Sequence, residues 1–301
     1  MSRIHDALKK AAQERSGRTI GGSETDILES TAGHSASVAT GELLDRQAIL
    51  SGSGITATAN PDFDVLAQRC TQTEWNFTAQ ANLFAQSGEG RLGAERFRTL
   101  RSRLYQIAET RLLKSMVVTS SVPAEGKTFV VTNLAHSIAR QMERRVILID
   151  ADLRAPRLHR VLGAPKGPGL VDYLRGRADE CAVIQRGKDP NLFLIPAGSD
   201  VDEPSELLLN ERMGLLVGRL TKMFDWVILD SPPALPVHDA SIIATYCDGV
   251  LFVVRAGETD FQLADKAAAE FREKNLLGVV LNQVGTSDSG SYYYYYGAKN
   301  D

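Results

Sequence analysis

From residue 92 onward the chain alternates short, nearly unbroken apolar runs with segments of helical periodicity, and this alternation restricts the fold more than any other feature. The runs cover residues 115–119, 146–149, 192–195, 226–229, 250–254 and 279–281. Helical patterns lie between most of them, over 127–142, 205–223, 240–246 and 261–274, and a charged helix over 94–108 precedes the first. Near-continuous apolar strands are the mark of a parallel sheet covered on both faces. The pattern therefore predicts an α/β domain with a mostly parallel sheet flanked by helices on both sides.

The first run leads into Ser120-Ser-Val-Pro-Ala-Glu-Gly-Lys-Thr128 and then into a helix. The pattern G-x-x-x-x-G-K-[ST] is met except at its first position, where Ser121 replaces glycine. Strand, loop and helix N-terminus together make an anion site, because backbone N–H groups point inward and the helix dipole favours negative charge. This assigns the domain to the P-loop NTPases. Gly126 lets the backbone approach the phosphates, Lys127 reaches the β- and γ-phosphates, and the Thr128 hydroxyl is placed to ligate Mg²⁺. Partitioning and division-site ATPases share this deviant loop but carry a second lysine where this chain has Val122, and valine cannot reach across a dimer to a partner's nucleotide.

Two further strands end in carboxylates. The run 146–149 continues into Asp150-Ala-Asp152-Leu-Arg154, and the run 226–229 into Asp230-Ser-Pro-Pro233. In an open α/β sheet, ligands sit beyond the carboxyl ends of the strands, so all three aspartates are expected beside the phosphate loop. Two carboxylates one residue apart repel without a cation near them, and Mg²⁺ is the natural partner for hard oxygen ligands. An apolar strand running into Asp230 is a Walker B element.

The remainder of the 301 residues divides by composition. Residues 1–15 place Ile4, Ala7, Leu8 and Ala11 at helical spacing and read as a short amphipathic docking helix. Residues 16–88 are rich in Gly, Ser, Thr and Ala, contain no lysine, and read as a flexible linker; Trp75 and Phe77 mark the one stretch with a claim to local order. The P-loop domain is expected over 89–285 and an exposed tail over 286–301, so the chain pairs one P-loop domain with a largely disordered N-terminal region and a flexible tyrosine-rich end. A net charge of -3 gives no reason to expect nucleic-acid binding. Three separated cysteines, with no metal-ligand spacing, and no apolar run near the ~20 residues of a membrane span point to a cytoplasmic protein.

In these motifs the chain resembles the bacterial tyrosine kinases (BY-kinases) that act with exopolysaccharide and capsule polymerisation machinery. The resemblance rests on the loop 122–128, the Asp-x-Asp-x-Arg motif ending at Arg154, the Asp-Ser-Pro-Pro motif, and the terminal run Tyr292, Tyr293, Tyr294, Tyr295 and Tyr296. It extends to Glu95-Arg-Phe-Arg98-Thr-Leu-Arg101, which is similar to the family's oligomerisation helix. The resemblance implies a non-specific protein-tyrosine kinase with ATP and Mg²⁺ as its cofactors. The nucleotide is expected among Val122, Pro123, Ala124, Glu125, Gly126, Lys127, Thr128 and Phe129, with Asn282 at the adenine. Thr128, Asp152 and Asp230 are the expected metal ligands, and Lys127, Asp150 and Asp152 the catalytic set. Asp150 is the better candidate to accept the tyrosine proton, although the sequence does not decide between Asp150 and Asp152.

The resemblance further implies a homo-oligomeric ring in which Glu95, Arg98 and Arg101 face a neighbour. From Gly285 to Tyr296 the chain spans at most roughly 36–40 Å, enough for phosphorylation in trans. Each phosphate adds about −1.5 to −2 charge, so autophosphorylation is expected to loosen such a ring. The expected partners are a separate transmembrane polysaccharide co-polymerase that activates the kinase and recruits it to the inner face of the plasma membrane, and a cognate tyrosine phosphatase. The competing reading is a nucleotide-switched ATPase scaffold of the partitioning type, which has no use for five acceptor tyrosines.

Overall fold

The computed structural model describes residues 61–78, 82–85 and 89–284. The expected docking helix over 1–15, the linker before residue 61 and the tyrosine tail over 286–301 lie outside them. One sheet organises the domain, built from β1 (Thr71–Gln72), β2 (Ser115–Ser120), β3 (Val146–Asp150), β4 (Gln185–Arg186), β5 (Leu192–Ile195), β6 (Trp226–Asp230), β7 (Gly249–Arg255) and β8 (Leu276–Asn282). Their spatial order is β1-β4-β5-β3-β6-β2-β7-β8, and every pairing is parallel except β4 with β5. The P-loop α/β fold expected from the alternation is the one observed.

The strands alternate between two cores. Ile147 and Ile149 of β3 enter one apolar cluster, while Val146 and Leu148 enter the other, on the opposite face. All four are fully buried. Burying an aliphatic side chain of this size contributes about 1.5–3 kcal/mol, which is why a doubly covered sheet needs apolar residues at consecutive positions. Among the covering helices are α1 (Pro61–Arg69), α2 (Glu89–Thr110), α3 (Lys127–Ala139), α4 (Leu158–Leu162), α5 (Leu170–Leu174), α6 (Glu180–Val183), α7 (Pro204–Leu208), α8 (Glu211–Met223), α9 (Asp239–Ala244) and α10 (Phe261–Ala269).

The sequence expectations need three corrections. The linker assigned to 16–88 gives way to structure from residue 61. Phe63 of α1 is buried edge-on against Phe193 and Phe224, each ring centre 5.6 Å away, with the Arg145 guanidinium 3.6 Å over its face. Trp75 is buried in the opposite cluster, and β1 joins the sheet beside β4. A segment poor in apolar residues is thus held by a few large ones at long sequence range. Next, the single helix expected over 205–223 is two, α7 and α8, because the Asn210 side chain accepts a hydrogen bond from Arg212 N and caps the second. Finally, β8, expected to be buried, is half-exposed along its length, being the edge strand.

Candidate nucleotide and phosphoryl-transfer site

The sheet order places β2 between β6 and β7, with β3 next to β6, so the strand ends carrying the three motifs lie side by side. Asp150 is the register partner of Asp230, and Val118 pairs with Asp230 from the other side. Parallel strands sit about 4.8 Å apart, which brings the two aspartate backbones to that spacing.

The loop between β2 and α3 is closed by side chains. Gly126 adopts φ 92°, in the left-handed region. A Cβ there would fall 2.0 Å from Nδ2 of Asn282, so the position needs glycine for space as well as conformation. Asn282 Nδ2 donates to the Glu125 carbonyl at 2.9 Å, tying β8 to the loop. The Glu125 carboxylate is buried and accepts hydrogen bonds from Val122 N (2.8 Å), the Thr259 hydroxyl (2.6 Å) and Arg255 N (3.3 Å). Sequence reasoning counts Glu125 only as one of the residues around the nucleotide. The structure makes it the clamp between the loop and the end of β7. Phe129 follows the loop and packs edge-on against Phe97 of α2 at 5.9 Å.

The functional side chains crowd one point. Lys127 is 8% exposed, and its Nζ donates to Ser120 Oγ at 3.1 Å. Burial pulls its pKa below the ordinary lysine value, opposed by the charges of Asp230, Asp152 and Glu125. The Thr128 hydroxyl donates to Asp230 Oδ2 at 2.6 Å. Asp150 is fully buried; one oxygen accepts Leu158 N at 3.0 Å, and the other has no partner. Asp230 Oδ1 is likewise buried and unpartnered. Burial, reinforced for Asp150 by the neighbouring charge of Asp230, raises Asp150 well above the usual carboxylate range, and burial pushes Asp230 up to about 7. Asp152 is half-buried, with Oδ1 accepting Ala155 N at 3.0 Å.

The unpartnered buried oxygen of Asp230, the Thr128 hydroxyl and Asp152 form a hard-oxygen donor set suited to Mg²⁺, with the unpartnered oxygen of Asp150 beside it. Among the described residues no cluster of three or more acidic, histidine or cysteine side chains is arranged to hold a metal by itself. A Mg²⁺ here must therefore take ligands from phosphate and water too, as that ion usually does. The buried lysine, the glycine at the helix entry and the free N–H groups of the first turn of α3 fit a nucleotide triphosphate.

In sequence Arg154 is only the end of its motif. In the structure it forms a forked contact with Asp239, Nε to Oδ2 at 2.8 Å and Nη2 to Oδ1 at 3.2 Å, and Nη2 also reaches Ser205 at 2.9 Å. Asp239 is fully buried at the start of α9, so this contact pins the segment that carries Asp150 and Asp152. By sequence alone Asp239 looks like any acid opening a helix.

The three residues expected to face a ring neighbour do not act as a set. Glu95 and Arg98 are exposed and pair with each other. Arg101 instead donates to the Ser137 carbonyl and, at 3.2 Å, to its hydroxyl on α3. The reason is helical geometry: at about 100° per residue, each three-residue step turns back about 60°, which carries Arg101 onto the domain. Tyr105 and Tyr173 are packing residues, Tyr105 stacked on Trp226 at 5.6 Å and Tyr173 under Arg212. His159 is buried.

Residues 116–295 match the family described as the CobQ/CobB/MinD/ParA nucleotide binding domain. The chain is 34% identical over 224 residues to tyrosine-protein kinase YwqD of Bacillus subtilis, covering 74% of this chain and 94% of that one. It is 33% identical over 224 residues to tyrosine-protein kinase wzc of Salmonella typhimurium, but spans only 31% of that longer protein against 72% of its own length. Among solved structures, the kinase domain of Escherichia coli tyrosine kinase ETK superposes with a TM-score of 0.60 at 31% identity, covering 64% of this chain and 78% of that one.

Proposed function

We propose that this chain, which belongs to the bacterial tyrosine kinase family within the CobQ/CobB/MinD/ParA nucleotide-binding fold, is an ATP-dependent protein-tyrosine autokinase whose acceptors are Tyr292 to Tyr296. One observation carries the chemistry: a buried lysine and two buried carboxylates with unpartnered oxygens meet at the ends of adjacent parallel strands, beside a phosphate loop.

Phosphoryl transfer needs positioning and charge stabilisation more than covalent help from the protein. The N–H groups of the loop and the α3 N-terminus hold the phosphates, and Lys127 offsets the charge on the transferring group. Mg²⁺, held through Thr128, Asp230 and Asp152, would neutralise the phosphate oxygens. Burial makes Asp150 a stronger base than a free carboxylate, fitted to take the proton of the incoming tyrosine hydroxyl. As the tyrosine oxygen bonds to the γ-phosphorus, the bond to the β-phosphate oxygen breaks and ADP leaves. Arg154, locked by Asp239, holds the strand exit so that Asp150 and Asp152 stay in place. Asn282 is engaged with the loop through Nδ2, which leaves its Oδ1 as the group for the adenine.

The tail phosphorylates in trans within a ring. Glu95 and Arg98 exchange their mutual pair for one across the interface, while Arg101 supports α2 from within. The activator is a separate transmembrane polysaccharide co-polymerase that brings the kinase to the cytoplasmic face of the membrane, where phosphorylation regulates exopolysaccharide or capsule polymerisation and export. A tyrosine phosphatase resets it. Among the described residues no helix is long and apolar enough to cross a membrane.

The test is peptide mass spectrometry of the purified chain after incubation with Mg-ATP, beside Lys127→Met. Phosphate on the tail peptide of the wild type alone is the expected result. Absence of phosphate in both, with the activator's cytoplasmic segment present, would refute the kinase reading.

A further inference from the structure

A groove of about 500 Å³ runs between α2 and the edge strand β8, apart from the carboxylate cluster and sharing Phe129 and Asn282 with the residues expected around the nucleotide. Phe97, Leu100, Phe129 and Val280 line it, and Arg96 and Arg103 stand at its rim. Both arginines are exposed and make no ion pair among the described residues. The groove also contains Val284, the last residue described before the chain continues into the 17 residues of the tail, 285–301.

We propose that this groove is a phosphotyrosine site for the chain's own phosphorylated tail, which docks there in cis. The proposal rests on the autokinase reading, since that activity supplies the modified tyrosines. The chemistry matches in both parts. An aromatic ring needs an apolar slot with aromatic walls, and a phosphate dianion needs guanidinium donors, which bind it through paired N–H groups. Arg96 and Arg103 are seven residues apart on one helix, about 10 Å along its axis. Tyrosines two positions apart in an extended chain share a face and present their phosphates about 7 Å apart, a spacing that two long, mobile arginine side chains can meet. The unmodified tyrosines lack the charge that the two arginines await, so docking follows phosphorylation rather than preceding it.

Connectivity selects the occupant. Tyr292 lies eight residues beyond Val284, a reach of about 26–29 Å, ample to leave the groove and double back. A tail tethered at the groove itself has an effective concentration in the millimolar range, which favours it over a neighbour's tail. The consequence is a product state in which each modified tail is withdrawn onto its own subunit and no longer available to a neighbour's active site.

The proposal is tested on the full chain carrying Lys127→Met, which cannot modify itself. A synthetic peptide of residues 285–301, phosphorylated on tyrosine, is titrated against it by fluorescence anisotropy, beside the unphosphorylated peptide and beside the further double variant Arg96→Gln, Arg103→Gln. The phosphopeptide should bind at least tenfold more tightly than the unmodified one, and the double variant should lose that advantage. Because the peptide is modified chemically, this arm is independent of whether the chain is a kinase. Equal binding of the two peptides, or a preference that survives the double variant, would overturn the site. In a second arm, hydrogen exchange on the autophosphorylated wild type should show protection over 96–103 and 279–284 that does not change on dilution. Protection that disappears on dilution would overturn docking in cis.

Discussion

Replacing Asp230 by asparagine should make the empty protein more stable while disabling it. Asp230 is 1% exposed, and burial lifts its pKa from the ordinary 3.8 to about 7, net of the Thr128 hydrogen bond and the Lys127 charge that pull the other way. A carboxylate whose folded pKa lies above its unfolded value binds its proton more tightly when folded. Between the two values the native state therefore holds the extra proton, and stability falls as pH rises. Below pH about 4 the group is protonated in both states and costs nothing. Above pH about 7 it is charged in both, and the whole difference, about three pH units at ~1.4 kcal/mol each, weighs against folding by on the order of 4 kcal/mol. The asparagine of Asp230→Asn keeps an oxygen to accept the Thr128 hydroxyl but carries no charge to desolvate.

Thermal unfolding in EDTA, without nucleotide, at pH 5, 6, 7 and 8 measures this. For a domain of about 200 residues each kcal/mol moves Tm by about 2–4 °C, so the variant should gain on the order of 10 °C at pH 8, with the gap closing as pH falls. Adding Mg-ATP should reverse the ranking, because only the wild type has the carboxylate to hold the cation and gain the stabilisation of bound ligand. A variant no more stable than wild type at pH 8 without ligand would refute the claim that Asp230 is held at a cost to the fold.

Three other outcomes follow from particular contacts. Gly126→Ala should weaken ATP binding at least tenfold by titration calorimetry, since its Cβ meets Asn282 Nδ2 at 2.0 Å and φ is 92°; unchanged affinity would remove the steric argument. Phe63→Ala should cost about 3–5 kcal/mol in denaturant unfolding, as for a core aromatic, whereas a residue in a true linker would cost nothing. Full autophosphorylation should lower the assembly mass seen by light scattering at matched concentration, because each phosphate brings about −1.5 to −2 charge to a ring of like subunits; equal masses would contradict it.

Six strands and the phosphate loop were legible in sequence because each is a local signal: an unbroken apolar run, a Gly-Lys-Thr at a helix start, an aspartate closing a strand. Parallel topology then converts local signals into a site, since strand ends of a parallel sheet necessarily gather. What escaped depends on partners far away in the chain. Glu125 is defined by Thr259, 134 residues on, Asn282 by the Glu125 carbonyl across 157 residues, and Asp239 by Arg154 across 85. None of the three differs in local pattern from a loop acid, a strand-end amide or a helix-opening acid. The same holds for α1 and β1, where a few large side chains, not a periodic pattern, secure a segment of loop-like composition.

Helix α2 shows how spacing misleads and then how it can be used. With about 100° per residue, Phe97, Leu100 and Leu104 fall on one stripe; Phe97 and Leu104 are buried in the core, and Leu100 packs against it with Tyr105, Ile107 and Ala108. Arg101 sits at the edge of that stripe and bonds to α3. Glu95 and Arg98 point roughly 100–160° from Phe97, while Arg96 and Arg103 lie together on the other flank, beside the groove. The helix thus carries the proposed assembly face and the proposed docking face on either side of its core stripe. Substitutions on the two faces should act independently. Glu95→Ala with Arg98→Ala should reduce assembly mass and leave phosphopeptide affinity of the Lys127→Met chain unchanged, and Arg96→Gln with Arg103→Gln should do the reverse. Sites without shared contacts add within about 0.3–0.5 kcal/mol. The quadruple variant should therefore show the sum of the two effects, and a larger coupling would mean that the two faces serve a single interface.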